Sequence, residues 1–295
     1  MARTARSRVL RISLPTMAAH RPDMLAVEEP LEIRIDGQPL TVTMRTPGDD
    51  IDLTAGFLLT EDIISGAMDV AEIRKCDDNV ADVRLRPGMA VAHDRLRRNF
   101  LTTSACGVCG KESIDTVRTR ASFDVRHDDV RVTAATLAML PDRLREAQRL
   151  FARTGGLHAA AIFTADGTLV TLREDVGRHN AVDKVIGWAL RDARLPLTGS
   201  VLLVSGRASF ELAQKALMAG IPVLAAVSAP SSLAVELARE AGMTLVGFLR
   251  GASMNVYAGT HRVPVTEDSP AAISPHPRAP RPAGAITGQV QREAE

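Results

Sequence analysis

The segment Ser104-Ala105-Cys106-Gly107-Val108-Cys109-Gly110-Lys111 holds two of the three cysteines in 295 residues, spaced C-x-x-C with a glycine after each thiol. Glycine lacks a Cβ, so the backbone can turn tightly there and leave both sulfurs approachable. Lys111 follows at once, and Arg95, Arg97 and Arg98 precede the pair. Positive charge favours thiolate over thiol, and thiolate is the nucleophile. The pattern predicts reactive sulfur on a loop.

Three chemistries compete for such a pair. Structural zinc needs about four ligands. Only Cys76 remains among the thiols, and the seven histidines are scattered without finger-like spacing, so no protein-bound zinc is expected. A thioredoxin-like redox pair sits just after a buried strand, whereas the residues from Asp94 to Ser104 are polar and basic. A sulfur carrier would hold a transferable persulfide on one cysteine with the other as auxiliary. Spacing alone leaves carrier and redox pair open.

A second group of candidates lies where helices open. Three apolar runs end in Ser205-Gly206-Arg207-Ala208-Ser209, in Ser228-Ala229-Pro230-Ser231-Ser232 and in Gly247-Phe248-Leu249-Arg250-Gly251. Small polar turns at helix starts expose backbone N–H groups and the positive end of the helix dipole, which suits phosphate. Arg207 and Arg250 can add bidentate contacts, and Phe248 can stack on a base. Read singly, the serines cap helices and the arginines are solvated; three agreeing strand ends point to an anion-binding cleft. The run from Arg173 to Lys184 adds Asp175, Arg178 and His179, a mixture suited to acid–base work or ligand contact. A solvated charged turn is the bland alternative. His158, after Gly155-Gly156-Leu157, is placed to face the same cleft or to serve structure alone.

The elements around these residues read as α/β, or α+β overall. A hairpin is predicted over 31–44 across the turn Asp36-Gly37, a helix over 50–64, and strands near 70–75 and 80–86. A helix follows over 134–153. Strands over 159–163, 169–172, 200–205, 222–228 and 243–249 accompany helices over 181–191, 209–219 and 231–241. Strands that are apolar throughout, alternating with amphipathic helices, imply a largely parallel buried sheet. Ligands of such sheets bind beyond the strands' carboxyl ends. The expected organisation is a flexible Arg-rich tail over 1–24, a small mixed β/α domain over 25–100, a Cys loop and linker over 101–132, a cofactor-binding domain over 133–263 and a disordered tail over 264–295.

Hydrophobic content of 45% and charge of 24% allow a sizeable core. A net charge of +1 argues against a nucleic-acid protein driven by overall charge. No run is long and apolar enough for a membrane helix or a secretory signal, and an odd cysteine count makes no disulfide framework. These features predict a cytoplasmic protein with no membrane association. The last stretch from Pro264 carries six of the sixteen prolines and few large apolar residues.

Taken together and in order, Cys106 to Gly110, His158 to Ala161, Glu174 to Lys184, Ser205 to Glu211 and Val246 to Phe248 with Tyr257 resemble the formate dehydrogenase accessory sulfurtransferase family, FdhD. The resemblance runs from about Glu29 to Val263. It implies a sulfurtransferase that takes persulfide sulfur from a cysteine desulfurase and delivers it to the bis-molybdopterin guanine dinucleotide molybdenum cofactor. That cargo is needed by the catalytic subunit of formate dehydrogenase, and GDP should mimic it. The persulfide maps to Cys106 with Cys109 auxiliary. The cofactor segment maps to Phe248, Leu249, Arg250, Gly251, Ala252 and Ser253, with Arg207, Ser228, Arg178, His179, Asp175 and His158 as further contacts. The resemblance also implies a cytidine-deaminase-like three-layer domain and a homodimer. No cysteine follows residue 109, so the deaminase zinc signature is missing and deamination is not implied. A thiol–disulfide oxidoreductase and a non-catalytic cofactor chaperone are the alternatives.

Overall fold

The Arg-rich start, expected as a loose arm, forms a hairpin. Strand β1 (Thr4–Ser13) pairs antiparallel with β2 (Met17–Ala26), Thr4 opposite Ala26 and Ser13 opposite Met17. The strands bury almost nothing, so the alternation that marks a half-buried strand is absent from their sequence. The computed structural model describes residues 1–15, 17–88 and 123–265. Cys106, Cys109 and the stretch after Val265 lie outside the described residues.

The predicted hairpin is β3 (Glu29–Ile35) and β4 (Gln38–Arg45). Leu31, Ile33 and Ile35 alternate inward and are wholly buried. With β5 (Val70–Asp77) and β6 (Val80–Leu85) they make a four-stranded sheet in the order β4-β3-β6-β5. Helix α1 (Asp50–Thr60) packs on it through Leu53, Leu58 and Leu59.

In the second half the predicted helix over 134–153 is two helices, α2 (Ala134–Ala147) and α3 (Arg149–Thr154), broken at Gln148, whose ψ of 83° leaves the helical region. Next come β7 (His158–Thr164), β8 (Leu169–Asp175), α4 (Arg178–Arg191), β9 (Ser200–Val204), α5 (Phe210–Met218), β10 (Val223–Ala226), α6 (Ser232–Ala241), β11 (Thr244–Arg250) and β12 (Ser253–Ala258). The six strands form one sheet in the order β12-β11-β10-β9-β7-β8. Strands β9, β10 and β11 pair in parallel, while β7 runs antiparallel to both β8 and β9, and β12 antiparallel to β11. Four strands therefore point one way. The carboxyl ends of β8 to β11 share one edge of the sheet with the amino ends of β7 and β12.

Both faces of this sheet are covered. Val201, Leu203 and Val246 pack with Leu137, Leu140 and Leu144 of α2. Leu202, Leu224 and Leu245 face the other way, into a cluster that runs through α4, α5 and α6 to α1 and the strands of the first sheet. The two halves expected as separate domains thus share one core, and residues Met1–Val265 make one compact unit.

The join is a helix crossing at glycine. A Cβ on Gly56 of α1 would stand 1.9 Å from the Asp183 carbonyl oxygen of α4, and one on Gly187 would stand 1.8 Å from that of Asp52. Beside the crossing, buried Lys215 donates to Thr60 Oγ1 at 2.8 Å, Glu61 Oε1 at 3.0 Å and Asp183 Oδ2 at 3.1 Å. The ion pair is hydrogen-bonded throughout, as a buried charge requires.

Candidate functional site: a cleft at the strand ends

The turns after β9, β10 and β11 are stitched by backbone hydrogen bonds. Ser228 N donates to the Gly206 carbonyl at 3.3 Å, Ala208 N to Ala229 at 3.2 Å, Ser231 N to Ala208 at 2.9 Å and Phe248 N to Ser228 at 3.1 Å. Gly247 allows the last approach, because a Cβ there would meet Pro230 Cδ at 2.8 Å and Tyr257 Cε2 at 3.0 Å. Phe248 sits in the left-handed region with φ 52°, where the register of β11 against β12 shifts. For a non-glycine residue that conformation costs about 1–2 kcal/mol, and it turns the chain so that Phe248 is half-buried at the edge. The Arg250 guanidinium lies 5.6 Å from the centre of its ring.

The expected cofactor segment divides by burial. Arg250, Gly251, Ala252 and Ser253 are exposed in the β11–β12 turn. Leu249 is wholly buried in the core under α2, so only its backbone is available to a ligand.

The run from Glu174 to Lys184 divides too. Asp175 is 0% exposed. Its Oδ1 accepts from Gly177 N at 2.8 Å and Asn180 Nδ2 at 3.1 Å, while Oδ2 accepts from Thr46 N at 3.1 Å and pairs with Lys184 Nζ at 2.7 Å. Lys184 also donates to the Thr46 carbonyl at 2.9 Å, and Asn180 to that of Met44 at 2.7 Å. Asp175 was expected to contact the ligand. Instead its lone pairs are committed to fastening the end of β4 to the start of α4. Helical spacing explains the division: Asn180, Asp183 and Lys184 follow one face of α4, toward α1 and β4.

Arg178 and His179 lie outside that network. His179 Nε2 lies 3.4 Å from Ser209 Oγ and 3.9 Å from Glu211 Oε2. Ser209 occupies the N-cap position of α5 without a side-chain cap bond, unlike Ser231, whose Oγ accepts from Ala234 N at 3.2 Å. His158 joins them from β7: a Cβ on Gly206 would stand 3.4 Å from His158 Nδ1 and 3.8 Å from Arg178 Cδ. Burial lowers the pKa of His158, with Arg178 and His179 adding to the effect and Asp175 opposing it. Arg178 Nε is buried with no hydrogen-bond partner among the described residues. A buried N–H without a partner costs about 1–3 kcal/mol, which a bound anion or ordered water would recover. Arg207 is exposed at the rim and Ser228 half-buried beside it.

Glu211, absent from the expected contacts, is held at a pKa of about 2, chiefly by the His179 imidazole 3.9 Å away, with burial opposing and Ser209 assisting. A depressed carboxylate stabilises the fold above its ordinary value of 4.5, and that contribution is lost as pH falls through about 2. Urea midpoints of the wild type and Glu211→Gln should therefore differ at pH 5 and converge near pH 2. A gap independent of pH would show that the carboxylate's charge contributes nothing.

The fold and this edge define an α/β protein that gathers arginines and histidines at one edge of its sheet, where parallel strands end. Residues 26–264 match the FdhD/NarQ family, and the chain belongs to it. A sulfur carrier protein FdhD of Streptomyces coelicolor is 61% identical over 270 residues, covering 88% of this chain and 95% of the relative. That of Mycobacterium tuberculosis is 56% identical over 272 residues, with coverage of 88% and 98%. The counterpart in Sulfolobus acidocaldarius is 46% identical over 245 residues, covering 83% and 93%. A crystal structure of a protein described as a formate dehydrogenase accessory protein, from Desulfotalea psychrophila, superposes with a TM-score of 0.72 at 25% identity. It covers 89% of this chain and 100% of that one. Among the described residues no helix is long and apolar enough to cross a membrane, and no cluster of residues could hold a metal ion.

Proposed function

We propose that this chain is a sulfur carrier serving formate dehydrogenase. Cys106 accepts the outer sulfur of a desulfurase persulfide: one S–S bond breaks as another forms, and the desulfurase thiol leaves. The loaded chain then passes that sulfur to a molybdenum cofactor of the bis-molybdopterin guanine dinucleotide type, which is its cargo: a thiolate, Cys109 or a free thiol, attacks the Cys106 sulfur, the persulfide S–S bond breaks, and the outer sulfur leaves at the sulfide level as a disulfide forms on Cys106. The partnerless Arg178 Nε beside His158 and His179 is the observation that carries the cargo reading. It marks a place where the described residues leave a cation wanting an anion, at the sheet edge where α/β folds bind ligands. Arg207 at the rim and the Phe248 ring supply a second phosphate contact and a stacking surface for guanine. The cargo's two guanine dinucleotide arms suit a homodimer with one cleft per protomer.

Calorimetry with GDP tests the cleft. The wild type should bind. Arg207→Ala should lose a charge-assisted hydrogen bond, about 1.5–3 kcal/mol, or roughly 10- to 150-fold in Kd. Phe248→Ala should weaken binding in the same direction by removing a stacking face. Binding that is absent from the wild type, or unchanged from the wild type in both variants, would remove this cleft from the mechanism.

A further inference from the structure

The β1–β2 hairpin lies ahead of the family-matched segment, which begins at residue 26, and sulfur carriage as argued above does not use it. By the two-residue period of strands, Arg6, Arg8, Leu10 and Ile12 share one face, and Leu14 continues it into the turn. Leu10, Ile12 and Leu14 are 53%, 65% and 88% exposed. From Thr4 to Ala26 there are four arginines and one acid, Asp23. Beyond its contact of β2 with α3 the hairpin buries little, a two-stranded sheet is marginal in water by itself, and an apolar, cationic one of this kind is a surface for something else.

Its two edges are not equivalent. Val27 N donates to the Arg3 carbonyl at 3.1 Å, which makes that pair a hydrogen-bonded one. Such pairs alternate along an antiparallel ladder, so the odd residues of β1 bond inward. Arg6, Arg8, Leu10 and Ile12 then turn their N–H and C=O groups away from β2. On the opposite edge Pro22, facing Arg8, has no N–H to offer. Among the described residues the hairpin is two-stranded, and none of them adds a further strand to the β1 edge. One edge is blunted by proline and the other presents a full row of donors and acceptors.

We propose that the free edge of β1 receives a strand from another protein, in a segment with carboxylates opposite Arg6, Arg8 and Arg11 and branched apolar side chains opposite Leu10 and Ile12. Main-chain pairing would supply affinity and the alternate side chains specificity. Charge disfavours a second copy, since edge-to-edge pairing would crowd the arginines of two β1 strands into one sheet. A bilayer would satisfy the arginines with anionic headgroups but leave the outward backbone groups unpaired in hydrocarbon.

The test uses the full chain and a blocked, fluorescein-labelled peptide, Val-Glu-Val-Val-Glu-Thr-Glu, followed by anisotropy. Saturable binding is expected. It should weaken at least tenfold in Leu10→Pro, which removes an outward donor as Pro22 does on the other edge, and in the Arg6→Glu/Arg8→Glu variant. A peptide N-methylated at alternate residues should not bind. GDP affinity, unchanged in Leu10→Pro, shows that the variant is folded and separates this surface from the cleft. No binding by the wild type, or equal binding by Leu10→Pro, overturns the proposal. So does a change of oligomeric state in Leu10→Pro on sedimentation, or Leu10-dependent binding to phosphatidylglycerol vesicles.

Discussion

Replacing Cys106 by alanine is expected to abolish activation of formate dehydrogenase, by about a hundredfold or more, because the carrier mechanism proposed above places the persulfide on this thiol and gives Cys109 only an auxiliary part. The thiol is followed by Gly107 and lies within five residues of Lys111, a setting that favours thiolate. Substitution removes one sulfur atom, and the melting temperature should stay at the wild-type value. Intact mass after incubation with a cysteine desulfurase and cysteine reads the step directly. The wild type should gain mass in sulfur-sized increments and Cys106→Ala should gain none at this position. Cys109→Ala should be milder, since a second thiol can assist release or protect the first without being required for carriage. Equal and complete loss in both variants would favour an obligate dithiol mechanism. Cycling between dithiol and disulfide without sulfur gain would make the chain an oxidoreductase. A Cys106→Ala protein that activates the client normally would end the carrier reading.

The second large effect is on stability. Gly187→Val should cost about 3 kcal/mol or more, because its Cβ would overlap the Asp52 carbonyl oxygen at 1.8 Å and neither helix backbone can yield locally. Forcing α1 away from α4 would also loosen the Lys215 ion pair and the hold of Thr46 on Asp175. At about 2–4 °C per kcal/mol for a domain of this size, the melting temperature should fall by roughly 10 °C. Gly66→Ala is the control: its backbone is extended, nothing stands within 4 Å of its added Cβ, and the change should be within about 0.5 kcal/mol of neutral. If the two variants melt together, the close crossing does not hold the halves.

Much of this was legible in the chain. The hairpin over β3 and β4, and the alternation of apolar strands with amphipathic helices from β9 to β11, are local patterns whose period identifies them. The gathering of the three turns at one sheet edge followed from those patterns, because the loops that open helices sit there by topology. What stayed hidden was long-range. Nothing near Gly56 says that its partner is Gly187, so two domains were expected where one core exists. The run from Arg173 to Lys184 offered Asp175, Arg178 and His179 alike as ligand contacts, with a solvated charged turn as the alternative. Only tertiary structure shows Asp175 and Lys184 holding β4, with Arg178 and His179 outside that network. Glu211 was passed over because its role depends on a histidine 32 positions earlier, a distance no local pattern spans. The β1–β2 hairpin escaped because strand recognition relies on burial, and its strands bury little.

The glycine crossing also has a bearing on how the chain is made. Helix α1 leaves the ribosome early, but the backbone that its glycine face accepts lies some 130 residues later, between Gly56 and Gly187. At bacterial rates of about 5–20 residues per second, that face and the apolar side chains around it wait on the order of ten seconds for their partner. The strand-end turns wait longer still, since the last of them follows β11. A chain interrupted before residue 250 would carry Cys106 and Cys109 without the last of those turns. Coupling α1 to α4 so tightly ties both halves to a single completed fold, and it makes the nascent first half a natural client for chaperones.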